Sequence, residues 1–214
     1  MTGRLTCVAL TILFVAACGG GSGSQPQGPT ASSVSVQPGD TPKSLVKCDL
    51  SGDIATVVSR EATPDPSTSQ TFQKDWQDAQ SKGAKDGYAA FYASSTANCA
   101  AIKSSSTNVG TAGYALLVNF VVMFKDEKSA GDAYTNGTLF NFSASTLKKE
   151  GTPVTEGTNT GLGANSVVLS ASIGDQSFYV AEWQHKAFVV ILVVLNLDAA
   201  SSKKIATAEN SRIS

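Results

Sequence analysis

The most restrictive segment of this chain is the run Val189-Val190-Ile191-Leu192-Val193-Val194. β-Branched side chains favour strands, and a run without alternating polar residues predicts a strand that is buried on both faces or lies centrally in a sheet. The apolar segment from Ala187 to Leu195 has about half of the roughly 20 residues that a membrane-spanning helix needs. We therefore predict a buried strand here.

The remaining apolar segments predict both strands and helices. Turn signals at Gly174-Asp175 and at Gln184-His185-Lys186 connect the last strands into hairpins. Residues 145–165 are polar and rich in Gly and Thr, which indicates mostly loop. The other predicted strands are Gly87–Ala93, Tyr114–Lys125, Ser166–Ser172 and Gln176–Trp183, and the predicted helices are Ser67–Ser81, Ser95–Ile102 and the segments after Asp126 and Asp198, with a short helix as one option in Leu45–Ser59.

Strands in hairpins, with helices grouped between them, predict an α+β fold: an antiparallel sheet with helices packed on one face. Residues Val118–Tyr134 and Val190–Ala208 share one pattern, a long strand, an aspartate at the N-cap position and a helix of small residues. This pattern could be a duplicated strand–helix unit. It is also what an ordinary strand–cap–helix junction looks like.

The N-terminal residues have the organisation of an export signal. Arg4 is the only charged residue among the first seventeen, and Leu5–Ala17 is an apolar segment of thirteen residues. This length suits the apolar part of a signal peptide and is too short to span a bilayer. The segment ends at Val15-Ala16-Ala17-Cys18, and a tail rich in Gly and Ser follows.

The order Val15-Ala16-Ala17-Cys18 resembles the lipobox of bacterial lipoproteins. The resemblance implies that residues 1–17 are removed as a signal peptide and that Cys18 is lipidated, for example with palmitate. It also implies an extracytoplasmic location on the cell membrane or the outer membrane, with the lipid on Cys18 as the contact with the membrane. An ordinary secretory signal followed by an unrelated cysteine is the alternative.

Composition divides the rest of the chain into two parts. Residues 18–40 are Gly, Ser, Pro, Gln and Thr with almost no large apolar side chain, which predicts a flexible tether. Residues 41–214 have the length of one extracytoplasmic domain with its own core.

If Cys7 is removed with the signal and Cys18 is lipidated, Cys48 and Cys99 remain as an even pair in an oxidising compartment. We predict a disulfide between them, and two free buried thiols are the alternative. The spacing of Cys48 and Cys99 excludes a CxxC redox pair.

Charge makes nucleic acid a poor partner. The chain has 16 Lys and Arg against 17 Asp and Glu, and loss of Arg4 leaves 15 basic residues. Phosphate binding needs a basic surface, so neither a nucleic acid nor a polybasic membrane contact is expected.

The sequence predicts no catalytic site and no cofactor. A single histidine, His185, rules out a three-histidine zinc site, and no G-x-S-x-G motif is present. Gly161-Leu162-Gly163 lacks the third glycine of a dinucleotide-binding loop, so it is interpreted as a turn before a strand. A hydrolase that uses His185 and a serine is kept as a third hypothesis.

Five residues are candidates for a ligand or partner surface, because aromatic side chains combine apolar bulk with a polar group and often form binding surfaces. Core packing is the alternative for the aromatic members, and a solvated turn is the alternative for the histidine. The five are Trp76, Tyr88, Tyr92, Trp183 and His185.

In outline the folded part resembles small α+β domains of bacterial surface lipoproteins and the extracellular sensor domains of actinobacterial receptor kinases. The resemblance implies a disulfide-bonded binding domain with a cleft. We therefore expect a lipid-anchored, non-enzymatic protein that binds an unknown small molecule or envelope protein. The alternative is a carrier of hydrophobic ligands such as lipids, with a cavity over the sheet.

Overall fold

The computed structural model describes residues 28–105, 109, 112–140, 142–149 and 153–213. Within these ranges, seven helices surround an eight-stranded antiparallel sheet, which confirms the α+β class. The helices are α1 (Ala31–Val34), α2 (Ile54–Glu61), α3 (Pro66–Ser81), α4 (Thr96–Ser104), α5 (Glu127–Asn136), α6 (Ala144–Lys149) and α7 (Ala199–Asn210). The strands are β1 (Val46–Lys47), β2 (Gly52–Asp53), β3 (Ala84–Ala93), β4 (Leu116–Phe124), β5 (Val154–Glu156), β6 (Ser166–Ile173), β7 (Gln176–His185) and β8 (Phe188–Leu195).

The most apolar strands lie at the centre of the sheet. The strand order is β1-β3-β4-β8-β7-β6-β5, and β2 also pairs with β3. β4 and β8 pair antiparallel from Leu116↔Leu195 to Met123↔Phe188. The predicted central position of the Val189–Val194 run is confirmed, because β8 has strands on both sides and apolar residues on both faces.

Alternate residues along the strands form two separate cores. The Phe120 face carries Phe91, Val118, Phe120 and Ile191. On the opposite side, the Trp183 face carries Tyr92, Leu117, Val121, Trp183 and Val190. The twofold periodicity of a strand explains this division, since neighbouring side chains point to opposite sides of the sheet.

Helices cover both faces of the sheet, so the prediction that they pack on one face is wrong. Helices α2 to α5 pack against the Phe120 face, whereas α1 and α7 pack against the Trp183 face. A central strand that is apolar on both sides needs a cover on both sides, because either face would otherwise expose apolar surface to water. The helices that follow β4 and β8 therefore lie on opposite faces, and the two similar sequence units do not pack equivalently.

The folded part begins before residue 41, which corrects the predicted tether. Ala31, Val34 and Val36 are fully buried against the Trp183 face. Thr30 caps α1 by accepting a hydrogen bond from the backbone N–H of Ser33. Composition did not reveal this segment because its few apolar residues are small and scattered among Ser and Gln.

Buried polar contacts fix this N-terminal segment. The Asn119 side chain, which is fully buried in β4, accepts hydrogen bonds from Ser35 Oγ at 2.7 Å and from the backbone N–H of Val36 at 3.1 Å. Arg212, just after α7, binds Asp40 at 2.8 Å and donates to the carbonyl oxygen of Val34 at 3.0 Å. The segment is therefore tied to both the sheet and the C-terminal helix.

Two local predictions also differ from the structure. Residues 145–165 contain most of α6, strand β5 and a short 3-10 helix, so they are more ordered than a loop. His185 is the last residue of β7, and the turn to β8 is made by Lys186, with φ of 50°, and Ala187. The predicted N-caps are confirmed, since Asp126 and Asp198 accept hydrogen bonds from the backbone N–H groups of Ser129 and Ser201.

The predicted disulfide joins Cys48 to Cys99, with Cα atoms 5.3 Å apart. Cys48 follows β1 at the edge of the sheet, and Cys99 lies on the buried side of α4. The bond therefore connects α4 to the β1 edge across 51 residues of chain.

Replacing both cysteines, as Cys48→Ala with Cys99→Ala, should lower the free energy of unfolding by about 4 kcal/mol, because the unfolded chain regains the entropy of a loop of roughly 50 residues. Urea denaturation of the double variant and of the oxidised parent measures this change. Reduction of the parent should reproduce most of the loss. Equal stability of the two forms would contradict a stabilising role for the bond.

Candidate functional site

An apolar cavity of about 270 Å³ lies between the Phe120 face and the helices above it. β3, β4 and β8 form one wall, and α2, α3 and α4 form the other. The strand residues that line the cavity are Phe91, Val118, Phe120 and Val193; the others are Leu50, Glu61, Thr68, Phe72, Ile102 and Val109. Eight of these ten described lining residues are apolar, so this part of the cavity favours apolar matter over water.

Aromatic rings form much of the wall. The ring centroids of Phe72 and Phe120 are 5.7 Å apart, and those of Phe91 and Phe120 are 6.0 Å apart, both in edge-to-face arrangements. The ring centroid of Phe140 lies 4.6 Å from that of Phe120. Interlocked rings of this kind hold one another in position, which preserves the shape of the cavity.

Local sequence signals place the helices over the cavity. Asp53 caps α2 by accepting a hydrogen bond from the backbone N–H of Thr56 at 2.9 Å. Pro66 is the first residue of α3, and Asp65 caps that helix through the backbone N–H of Thr68 at 3.2 Å. Proline and an aspartate cap start a helix at a defined residue. The cap of α3 therefore puts Thr68 at the cavity.

Glu61 is the one charged residue, within the part of the chain that the structure describes, that lines this cavity. It ends α2, is 3% exposed, and its Oε2 atom has no hydrogen-bond partner among those residues. Burial and, as a smaller cause, the charge of Asp65 raise the pKa of Glu61 to about 7, and the charge of Lys103 opposes this shift. A buried carboxyl without a partner is costly, so it marks a place where a ligand group could bind.

This arrangement can hold an apolar molecule and orient one polar group. Ligand pockets are typically apolar with a few placed polar groups, which is the composition found here. Among the described lining residues there is no histidine, cysteine or lysine that could act with Glu61 in acid–base or nucleophilic chemistry.

The five residues predicted to form a surface do not come together, and none lines the cavity. Tyr92 and Trp183 are fully buried in the core of the Trp183 face, where Tyr92 Oη donates to the carbonyl oxygen of Val36 at 2.8 Å. Tyr88 is half-buried, with Lys47 Nζ 3.1 Å from its hydroxyl group. Trp76 packs on the Phe120 face over Gly87, whose missing Cβ makes room for the indole ring.

His185 lies in a separate polar cleft of about 310 Å³, together with Gly161, Gly163 and Asn165. Its Nδ1 atom shares a hydrogen bond with the amide oxygen of Asn210 at 2.9 Å. The glycines form a turn before β6, as the sequence indicated, with φ of 82° at Gly161 and 124° at Gly163.

Sequence reasoning missed Glu61, although a signal for it was present. Ile54, Val57 and Glu61 occupy one stripe of α2 at the spacing of a buried helix face, and all three are buried. A carboxylate in an apolar stripe contradicts the pattern of the helix. Such a conflict between local pattern and residue type is expected at functional positions.

Glu61→Gln should change how stability depends on pH. The pKa of Glu61 is about 7 in the folded protein and near 4.5 in the unfolded chain. Its protonated form therefore stabilises the folded protein fully below pH 4.5, and this stabilisation is lost as the pH rises to 7. The loss is at most about 3 kcal/mol. The stability of E61Q relative to the parent should therefore increase by up to this amount between pH 4.5 and pH 8.

Urea denaturation at several pH values measures this difference. The control is Glu182→Gln, since Glu182 is a second buried glutamate on the Phe120 face whose pKa is raised to about 8 by burial. Because E182Q still contains Glu61, it should keep the stabilisation of the folded protein that protonated Glu61 provides below pH 7. A difference between E61Q and the parent that is independent of pH would contradict the burial of an unpaired carboxyl.

Comparison with known proteins does not assign the site. No protein-family model, curated protein or solved structure matches the chain. In the described ranges, no helix combines the length and apolar character needed to cross a membrane, and no three His, Cys, Asp or Glu side chains are grouped as a metal site would require. The apolar cavity and the buried carboxyl group of Glu61 make this the candidate functional site that the geometry supports best.

Proposed function

We propose that this chain is a lipid-anchored, non-enzymatic binding protein of the bacterial envelope that holds an apolar ligand in the cavity on the Phe120 face. The observation that carries the proposal is the cavity itself, in which eight of the ten lining residues that the structure describes are apolar. An apolar space of this kind gains by filling with apolar matter, since its walls otherwise lack contacts on one side.

The volume limits the ligand. A cavity of about 270 Å³ exceeds the roughly 150 Å³ known to admit benzene and falls just below the roughly 300 Å³ at which pockets for drug-sized molecules begin. The proposed ligand is therefore a compact apolar molecule or one segment of a longer chain. A complete multi-chain lipid is too large to be enclosed.

The lipid on Cys18 is the second part of the proposal and depends on Val15-Ala16-Ala17-Cys18, which lies outside the described residues. Thr30, the N-cap residue of α1, is twelve residue steps from Cys18. A fully extended chain of this length reaches at most about 40 Å. The proposed anchor would therefore keep the cavity close to the membrane surface, where apolar molecules are concentrated.

Val193→Phe tests the cavity, because the larger side chain would occupy space where the ligand binds. The matched control is Val180→Phe, since Val180 pairs with Val193 across β7 and β8, has similar burial and does not line the cavity. We expect V193F to weaken ethylbenzene binding roughly tenfold or more, about 1.4 kcal/mol or more, and V180F to bind like the parent.

The measurement is a titration of the mature chain, carrying Cys18→Ala, followed by protein NMR shifts. Circular dichroism checks that each variant is folded. Absence of ethylbenzene binding to the parent, or equal binding by V193F and V180F, would refute the proposed site.

Cys18→Ala should release the protein from the membrane fraction into the soluble fraction of expressing bacteria, because lipidation requires the thiol. Cys7→Ala is the matched control, since Cys7 lies inside the predicted signal peptide, and it should leave the protein membrane-bound. Fractionation and immunoblotting measure both. Retention of the Cys18→Ala chain in the membrane would contradict the anchor.

A further inference from the structure

We infer that the ligand of this cavity is an apolar molecule carrying a cationic amine, and that Glu61 is the group that pairs with the amine. The inference rests on the proposed function of the cavity and specifies the ligand class. Three observations carry it: the buried carboxyl, the charges around it and the aromatic wall.

The first observation is that Glu61 Oε2 lies buried at the cavity and has no partner among the described residues. Desolvation of this carboxyl has already occurred in the folded protein. A ligand that donates to it gains the interaction without a further desolvation cost for Glu61, which removes one of the two penalties that usually offset a buried ion pair. A donor group on the ligand is therefore favoured at this position.

The second observation concerns charge. Two charged side chains act on Glu61. Asp65 adds a negative charge near it, and Lys103 on α4 adds a positive charge near it. Lys103 Nζ lies 3.4 Å from Asp49 Oδ2, so its charge is shared with another carboxylate. Arg60, the neighbour of Glu61 on α2, donates to the carbonyl oxygens of Asp49 and Ser51. Two carboxylates near a partly neutralised lysine favour a cation over a neutral donor or an anion.

The third observation is the aromatic wall. Phe72, Phe91 and Phe120 all line the same cavity as Glu61. Aromatic faces attract cations through their quadrupole, and this attraction is larger at desolvated sites. A carboxylate together with several aromatic rings is the combination that binds an ammonium group attached to an apolar body.

The test compares three molecules of nearly equal shape: ethylbenzene, benzyl alcohol and benzylamine. They differ in the terminal methyl, hydroxyl or ammonium group. The mature chain with Cys18→Ala, its Glu61→Gln variant and the control Glu182→Gln are each titrated at pH 8, where Glu61 and benzylamine are both charged. Glu182 is buried on the same face, has no hydrogen-bond partner among the described residues and does not line the cavity, so it controls for loss of a buried carboxyl group.

We expect the parent and E182Q to bind benzylamine roughly tenfold or more tightly than benzyl alcohol, and E61Q to lose this preference while it still binds ethylbenzene. Benzylamine affinity of the parent should fall at least roughly tenfold between pH 8 and pH 5, as Glu61 becomes protonated. Ethylbenzene affinity should change little over this range.

The outcomes separate the two proposals. Ethylbenzene binding without a preference for benzylamine, a preference for benzyl alcohol, or an unchanged preference in E61Q would each overturn the amine inference and leave the apolar cavity standing. Failure of the parent to bind ethylbenzene would refute the cavity itself. Loss of the benzylamine preference in E182Q as well as in E61Q would also overturn the inference, because the effect would then not be specific to Glu61.

Discussion

The pairing of β4 with β8 is the constraint on which the rest of this structure depends. These two strands supply apolar residues to both faces of the sheet, from Leu116 and Leu195 at one end to Met123 and Phe188 at the other. A sheet with two apolar faces requires two covers, since neither face is stable in water. The chain provides them from different parts of its length.

The helices and side chains fill the space above the two faces of the sheet to different degrees. On the Trp183 face, the large side chains Tyr92 and Trp183 fill the space beneath α1 and α7, and Asn119 fixes the N-terminal segment through buried hydrogen bonds. On the Phe120 face, helices α2 to α4 span the sheet and leave the cavity between them. The Cys48–Cys99 bond holds α4 at the edge of that cavity, so the covalent constraint and the candidate site lie in the same layer.

Two buried glutamates, Glu209 and Glu61, differ in what lies next to them. Glu209 is fully buried on α7, and burial raises its pKa well above the ordinary value, while the nearby Asn119 and Arg212 favour its charged form. Both of its carboxyl oxygens lack a hydrogen-bond partner among the described residues, and it does not line the cavity on the Phe120 face. Glu61 differs from Glu209 in its position, because its carboxyl group lines an apolar cavity that a ligand could occupy. The charge of Lys103 offsets part of the cost of burying Glu61. A ligand that donates a hydrogen bond to Glu61 Oε2 would offset more of this cost.

The sequence by itself determined the α+β class, the central position of β8, the helix caps and the disulfide pair, because these depend on local periodicity, local hydrogen bonding and a count of two cysteines. It did not determine that helices cover both faces, that Thr30 to Asp40 are packed, or that Tyr92 and Trp183 are core residues. Each of these depends on which distant segment lies over a given face. Only the tertiary structure decided the site, because the cavity and the unpaired carboxyl of Glu61 exist where helices from one part of the chain fail to fill the space above strands from another.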